Sequence, residues 1–336
     1  MTEPTLLALP SKGAIAEPTL SFLKDCGLRV DKPNDRQYVG SVPSVLGLNV
    51  LFQRVKDVVY KVSDGTVQLG ITGYDVVREN PHENLVVVHQ GLGYGHCHLV
   101  VAVPESWVDV DGMSDLSDIA SDMRRLQGRS LRVATTYTAL TRQFLHAQGI
   151  HHFTLVRAEG AIEAAPTIGY ADIVVDLVQT GTTLRENHLK PLDDGVIVES
   201  QACLVGNRQA LKRQPQTLSV AQTMLEYIDA SLQGKQIRQL TVNIRGSAPE
   251  AVARLVTANP VTQGLKGPTI SPIFGLTSNG DDEQWYTVTI NVNVRDLLKA
   301  VDHLRSIGSS QVVVSPVSFV FLEQSPSYGR LLELVR

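Results

Sequence analysis

The sequence predicts an α/β fold in two lobes, followed by a small βαββαβ module. Strand-like and helix-like segments alternate along the first half of the chain, the pattern of parallel strand–helix units. The run ADIVVDLV (171–178) is β-branched and leucine-rich, the composition of a strand buried on both faces of a parallel sheet. From residue 238 the order becomes strand, helix, strand, strand, helix, strand.

The elements follow in order. TLLALP (5–10) is a strand, Ser11-Lys12-Gly13 a turn, and 14–28 a helix. Residues 31–49 are rich in Pro, Gly, Asn and Ser and read as a loop. LNVLFQRVKDVVYKVSDG gives a strand, a turn at Arg54 and a helix ending at Gly65. VQLGITGYDVV gives the strand LGI, a Thr72-Gly73 turn and a helix that Asp75 is placed to cap. GHCHLVVAVP is a strand with His96 and His98 on one face, a polar cleft edge rather than a metal site, since no third ligand is near. DVDGMSDLSDIASDMRRLQG, polar and with a helical stretch before Gly128, strand SLRVATTY, helix TALTRQFLHAQGI and strand HFTLVRAEG come next. GAIEAAPTIG is a helix with Glu163 near its start. VIVESQACLVGN reads as strands returning to the first lobe, which makes that lobe discontinuous and hinges a cleft on two crossings. PQTLSVAQTMLEYIDASLQG is a long connecting helix, and 238–336 has no catalytic cluster.

Composition bounds the function. The chain has 336 residues, two to three domains at roughly 100–200 residues each. It is 43% hydrophobic, and its formal net charge of −4 gives no basic footprint for nucleic acid. No apolar run approaches the roughly 20 residues of a membrane helix, and MTEPTLLALP lacks the basic start of a signal peptide. Cys26, Cys97 and Cys203 are isolated thiols, which fits a reducing cytoplasm.

The chemistry concentrates at 171–183. Thr180-Gly181-Thr182-Thr183 between a strand and a helix start offers hydroxyls and backbone N–H groups to a phosphate. Asp176, just upstream, suits sugar hydroxyls or a metal ion. Asp172, four residues earlier on the same presumed strand, shares its face. Lys12 is either a phosphate contact or a solvated lysine, and Arg54 either faces a nucleotide or is a surface residue at a helix start.

These motifs together resemble ATP phosphoribosyltransferase, the first enzyme of histidine biosynthesis. The resemblance runs through ALPSKG (8–13), Phe52-x-Arg54-x-x-Asp57, DGTVQLGITGYDVV (64–77), LGYGHCHLVVAVP (92–104), LRVATTYTALTRQFL (131–145) and 157–189. GLKGPTISPI (264–273) and VVVSPVSFVFLE (312–323) resemble the extra domain of the family's long form. It implies a two-lobed, periplasmic-binding-protein-like core with a C-terminal ferredoxin-like domain. The boundaries expected are 1–104 with 190–235, then 105–189, then 236–336.

The resemblance further implies transfer of phosphoribosyl from phosphoribosyl pyrophosphate to N1 of ATP, with Mg2+. Thr180, Gly181, Thr182 and Thr183 would hold the 5-phosphate, Asp176 the ribose hydroxyls, Glu163 the metal and Asp172 the loop. Lys12, Gly13, Arg54, Gly73 and Asp75 would meet ATP, with Lys12 also near the pyrophosphate. Histidine would inhibit at Leu265, Gly267 and Thr269, and the chain would form a hexamer that is dimeric when active. Two departures stand out: the family usually carries arginine where this chain has Ala14, and more often arginine where it has His96. A catalytically weakened regulatory paralogue, or a solute-binding protein of the same two-lobed fold, is the alternative.

Overall fold

The computed structural model describes residues 4–336 except 33, 35–36, 158–159 and 275–283. It divides into two compact units, 1–224 with 327–336, and 225–326.

The first unit begins with β1 (Thr5–Pro10), α1 (Ala16–Asp25), β2 (Val39–Ser41) and β3 (Leu48–Gln53). Next come α2 (Val55–Ser63), β4 (Leu69–Gly73), α3 (Tyr74–Glu79), β5 (Leu85–His89) and β6 (Cys97–Pro104). Gly70 lets α2 lie close on β4, because a Cβ there would meet Val58 at 2.5 Å. The chain continues through α4 (Met113–Gln127), β7 (Leu131–Thr135), α5 (Thr138–Ala147) and β8 (Phe153–Arg157). A 3-10 turn at Ile162–Ala164 leads into α6 (Ala165–Ile168), β9 (Ile173–Val178) and α7 (Thr182–Glu186). It then runs through β10 (Leu189–Ser200), β11 (Ala202–Asn207), α8 (Arg208–Arg213) and α9 (Pro215–Lys235), the last of which belongs to the second unit from Leu225 onward.

These strands form two sheets of one design. The first has the order β2-β3-β1-β4-β11-β5, the second β10-β6-β9-β7-β8. In each, an antiparallel strand that arrives from the other lobe is inserted between strands that run parallel to one another: β11 between β4 and β5 in the first, β6 between β10 and β9 in the second, with the short edge strand β2 also antiparallel to β3. The core is thus two-lobed and periplasmic-binding-protein-like, with two chain crossings. Sheet membership moves those crossings from where the sequence put them. β6 and β10 both lie in the second sheet, so the chain crosses between β5 and β6 and again between Ser200 and Ala202. The expected cuts at 104/105 and 189/190 would have given both strands to the first lobe.

The second unit holds β12 (Ile237–Gly246), α10 (Pro249–Thr257), β13 (Thr269–Pro272), β14 (Gln284–Asn293), α11 (Leu297–Ser306) and β15 (Val312–Pro316). Its antiparallel order β13-β14-β12-β15 is that of a ferredoxin-like module. Alternation along β12 turns Leu240, Val242 and Ile244 into a core with Val288, Ile290, Ala300 and Leu304, while Gln239, Asn243 and Arg245 stay outside.

Three expectations change. The strand expected over 311–321 stops at Pro316, and the strand expected through 160 is described only to Arg157, Ala158 and Glu159 lying outside the described residues. A last helix, α12 (Pro326–Val335), belongs from Ser327 onward to the first unit, not to the regulatory domain expected over 236–336. Arg208 donates to the Leu334 carbonyl and Lys212 Nζ to the Arg336 carbonyl at 2.8 Å, so basic side chains close the helix C-terminus. A chain ending near 234 therefore strips the first unit of a packed helix. Leu331, fully buried there, is the residue to test. Leu331→Ala should cost about 2–5 kcal/mol in urea denaturation; a change within experimental error would remove α12 from this core.

Candidate functional site

A cavity of about 480 Å3 lies between the lobes, where parallel strands end and helices begin. The first lobe contributes Ala14 and Ile15 after β1, Val55 and Lys56 at the start of α2, and Gly73 and Asp75 at the β4–α3 junction. The second contributes Tyr137, Glu163 and the stretch 176–184.

Asp176 lies in the C-terminal, half-buried half of β9, opposite Val100 on β6. One of its oxygens accepts from the next backbone N–H, that of Leu177, at 2.8 Å. Burial pushes its carboxyl up to about 6; the Leu177 hydrogen bond opposes this and the charge of Glu163 adds to it. A carboxylate in this state gains from a cation or from hydroxyl donors. Beyond it the chain turns at Gly181, with φ 73 and ψ 2. A Cβ there would meet only Val178, at 4.0 Å, so left-handed backbone rather than crowding calls for glycine. Thr180 and Thr182 hold their hydroxyls 3.1 Å apart above this turn.

Asp75 behaves differently from its expected role. Gly73 is the N-cap residue of α3, and the Asp75 carboxylate does not cap the helix. It is buried, accepting from the Tyr137 hydroxyl at 2.5 Å and the Ser200 hydroxyl at 2.7 Å, while its own N–H donates to Ser200 at 2.9 Å. Glu79, at the other end of α3, accepts from the N–H groups of Ala139 (2.9 Å) and Leu140 (3.0 Å), closing the free N-terminus of α5. Helix α3 is thus fastened at both ends to the second lobe.

Other expected residues lie elsewhere. Lys12, Gly13 and Arg54 are exposed at the ends of β1 and β3, outside the cavity lining; from the Arg54 turn it is Val55 and Lys56 that face inward. His96 and His98 are exposed while Gly95 and Cys97 line the cavity, and among the described residues no group of three or more metal-type ligands forms. Asp172 precedes β9 instead of lying on it, and its buried carboxylate is taken by two arginines. It accepts from Arg129 Nη1 at 2.7 Å, from Arg132 Nη2 at 2.9 Å and from the Arg132 backbone N–H at 2.8 Å. Burial raises its carboxyl, but the Arg132 and Arg129 hydrogen bonds outweigh this and hold it below the usual range.

The comparisons with known proteins decide the family. A model described as ATP phosphoribosyltransferase matches residues 54–230, and one described as HisG, C-terminal domain, matches 235–318. The chain belongs to the ATP phosphoribosyltransferase family. ATP phosphoribosyltransferase 2, chloroplastic, of Arabidopsis thaliana is 41% identical over 97% of this chain and 79% of its own length. The ATP phosphoribosyltransferase of Bradyrhizobium sp. (strain ORS 278) is 34% identical over 100% of both chains. Among solved structures, the ATP phosphoribosyl transferase (HisG:HisZ) complex from Thermotoga maritima shares the fold at a TM-score of 0.52. It is 22% identical and covers 67% of this chain and 98% of that one.

For a member of the ATP phosphoribosyltransferase family, the residues that sequence reasoning missed are Lys56, Tyr137, Ser200 and Glu79. Tyr137 stood inside a quoted motif, and only the partner it meets was unreadable. The pair Arg54 and Lys56 at one helix start was a signal that a cation would face inward, without saying which.

Two outcomes follow from the electrostatics. A folded-state pKa raised from 3.8 to about 6 means that ionised Asp176 destabilises the ligand-free fold as pH rises through that window. Asp176→Asn keeps the Leu177 hydrogen bond, so it should stabilise the ligand-free protein at pH 8 by on the order of 2–3 kcal/mol. Thermal melts should show this gain vanishing below pH 4; a loss of stability at pH 8 would contradict the assignment. Asp172 has the opposite sign, its stabilisation being present above the unfolded carboxylate range and lost as pH falls. Asp172→Ala should cost about 1–3 kcal/mol at pH 7 in denaturant titration, without changing turnover at 25 °C.

Proposed function

We propose that the chain transfers the phosphoribosyl group of phosphoribosyl pyrophosphate to N1 of ATP, releasing pyrophosphate, as the first step of histidine biosynthesis. The observation that carries this reading is the pairing of Asp176 with the Thr180–Thr183 turn at one end of β9, across the cavity from Lys56. The N1 lone pair forms the new bond to C1 of the ribose, and the C1–oxygen bond breaks with its electron pair leaving on pyrophosphate. No proton needs to move in that step and no side-chain nucleophile is required. The chain's task is alignment and charge placement.

The turn holds the 5-phosphate through the hydroxyls and N–H groups of Thr180–Thr183, which fixes the ribose beside Asp176. Asp176 accepts hydrogen bonds from the ribose hydroxyls, and Gly73 lets the adenine approach the first lobe. Asp176 and Glu163 suit magnesium, since a cation relieves the charge that desolvation and mutual repulsion place on them. Magnesium would be held mainly by the substrate and would supply positive charge to the leaving pyrophosphate.

The second unit suits regulation by histidine. Gly264 (φ 69) and Gly267 (φ 102) shape the turn before β13, where Leu265 and Thr269 are exposed. Beside it the Asn291 side-chain oxygen is buried with no hydrogen-bond partner among the described residues, an acceptor suited to an amino group. We assign histidine feedback here, with assembly into a hexamer that is dimeric when active. Three buried cysteines, Cys26, Cys97 and Cys203, accord with a cytoplasmic enzyme.

Steady-state pyrophosphate release tests the reaction. It should require both substrates, and Asp176→Asn should slow it roughly ten- to a hundredfold at limiting phosphoribosyl pyrophosphate. Release without ATP, or none at all, would refute the reading. Thr269→Ala should weaken histidine inhibition roughly tenfold while the uninhibited rate stays constant; unchanged inhibition would move the histidine site away from this turn.

A further inference from the structure

The second lobe holds a further cavity, of about 390 Å3, at the end of its sheet away from the cleft. It is lined by Trp107 beyond β6, Arg132 on β7, Pro166 and Thr167 on α6, Asp172 before β9 and Asn187 beyond α7. It shares no lining residue with the cleft. A strand advances roughly 3.3 Å per residue, which sets Asp172 about 20 Å from the Val178 end of β9. The recess is rich in unused donors. Arg132 donates through Nε and Nη2 to Asp172 and through Nη1 to the Gly169 carbonyl at 2.8 Å. The second N–H on each Nη has no partner among the described residues, and neither has the Trp107 indole N–H. Asp172 is the recess's one carboxylate, and it is already satisfied by Arg129, Arg132 and a backbone N–H. Two arginines against one carboxylate leave a single positive charge, which suits a monoanion better than a doubly charged phosphate. Glu105 lies outside the lining, 3.7 Å from His188 Nδ1. Trp107, Pro166, Pro104 and Leu189 supply apolar wall.

We infer that this recess is an effector site for a small organic carboxylate with a flat apolar body. The carboxylate takes the free N–H groups of Arg132, whose planar fork matches it, and the body lies against Trp107 and the prolines. The effector role rests on the reaction proposed above, because it acts through the turn assigned to the 5-phosphate. Asn187 lines the recess, and its Nδ2 donates at 2.9 Å to the carbonyl of Thr183, a residue of that turn. Helix α7, only five residues long, has the phosphate turn at its start and the recess at its end. On the other wall, α6 follows directly on the 3-10 turn that carries Glu163. A ligand that orders the recess therefore bears on both second-lobe elements that meet the cleft.

Trp107 is itself the reporter. The chain has two tryptophans, so Trp285→Phe leaves Trp107 alone to fluoresce. In that full-length background, titration with sodium benzoate should change the emission saturably. Benzamide, its uncharged isostere, should bind roughly tenfold more weakly, the difference one charged hydrogen bond makes. Arg132→Met should weaken benzoate by roughly the same factor. Because that change also loosens Asp172, a second variant is needed: Thr167→Phe, at the exposed rim, fills the recess and should block benzoate while the melting temperature stays constant. Saturating benzoate should shift the KM for phosphoribosyl pyrophosphate roughly fivefold in the chain with an open recess, and not in Thr167→Phe. The site is overturned if benzamide binds as well as benzoate, or if neither variant alters the titration. The effector role is overturned if benzoate saturates and that KM does not move. Failure of the parent reaction looks different, because the wild-type chain then releases no pyrophosphate while the benzoate titration still saturates.

Discussion

The Asp75 carboxylate is the point on which the cleft depends. A buried carboxylate is costly unless its oxygens are hydrogen-bonded, and here both are, by hydroxyls that come from the other lobe. Tyr137 follows β7 and Ser200 ends β10, so a residue of α3 is tied to two separate segments of the second lobe. Glu79 repeats the device one helix-length away, spending a carboxylate on the free amides of α5. The strand exchange brings the two sheets together, and these two carboxylates fix where α3 stands against the second lobe. The position of Gly73 and Tyr137, and hence the shape of the cavity, follows from them.

Within that frame the second lobe carries the strain of function. Asp176 is desolvated and faces the charge of Glu163, an arrangement that destabilises the ligand-free protein and favours a charged, hydroxyl-rich ligand. Ala161, two residues before Glu163, takes a left-handed φ of 42, unfavourable for a residue with a Cβ. The first lobe carries instead the sparse positive charge, at Lys56. The division of labour matches a reaction that needs two substrates aligned and no side-chain nucleophile.

Much of this was legible in the sequence. The β-branched run to Val178, the Thr/Gly turn after it and the alternation of β12 each specify local structure, and the ferredoxin-like order follows from them. The lobe boundaries were not legible, because a run such as CHLVVAVP reads as a buried strand in whichever sheet receives it. Asp172 was misplaced because β9 starts one residue later, and sequence spacing says nothing of Arg129 and Arg132, some forty positions upstream. Arg54 and Lys56 begin the same helix, and only the packing of α2 on β4 decides which faces the cavity. Helix α12 has a clear amphipathic pattern, yet its return to the first unit depends on a tertiary contact with α8.

Hydrogen exchange with each substrate added alone tests most directly whether the cleft between the two sheets is where the substrates meet. With phosphoribosyl pyrophosphate and magnesium, amides of residues 176–184 should gain protection. With ATP, protection should appear instead at 55–60 and 73–80, on the first lobe. Protection of the same segment by both substrates, or protection confined to 237–316, would contradict the account.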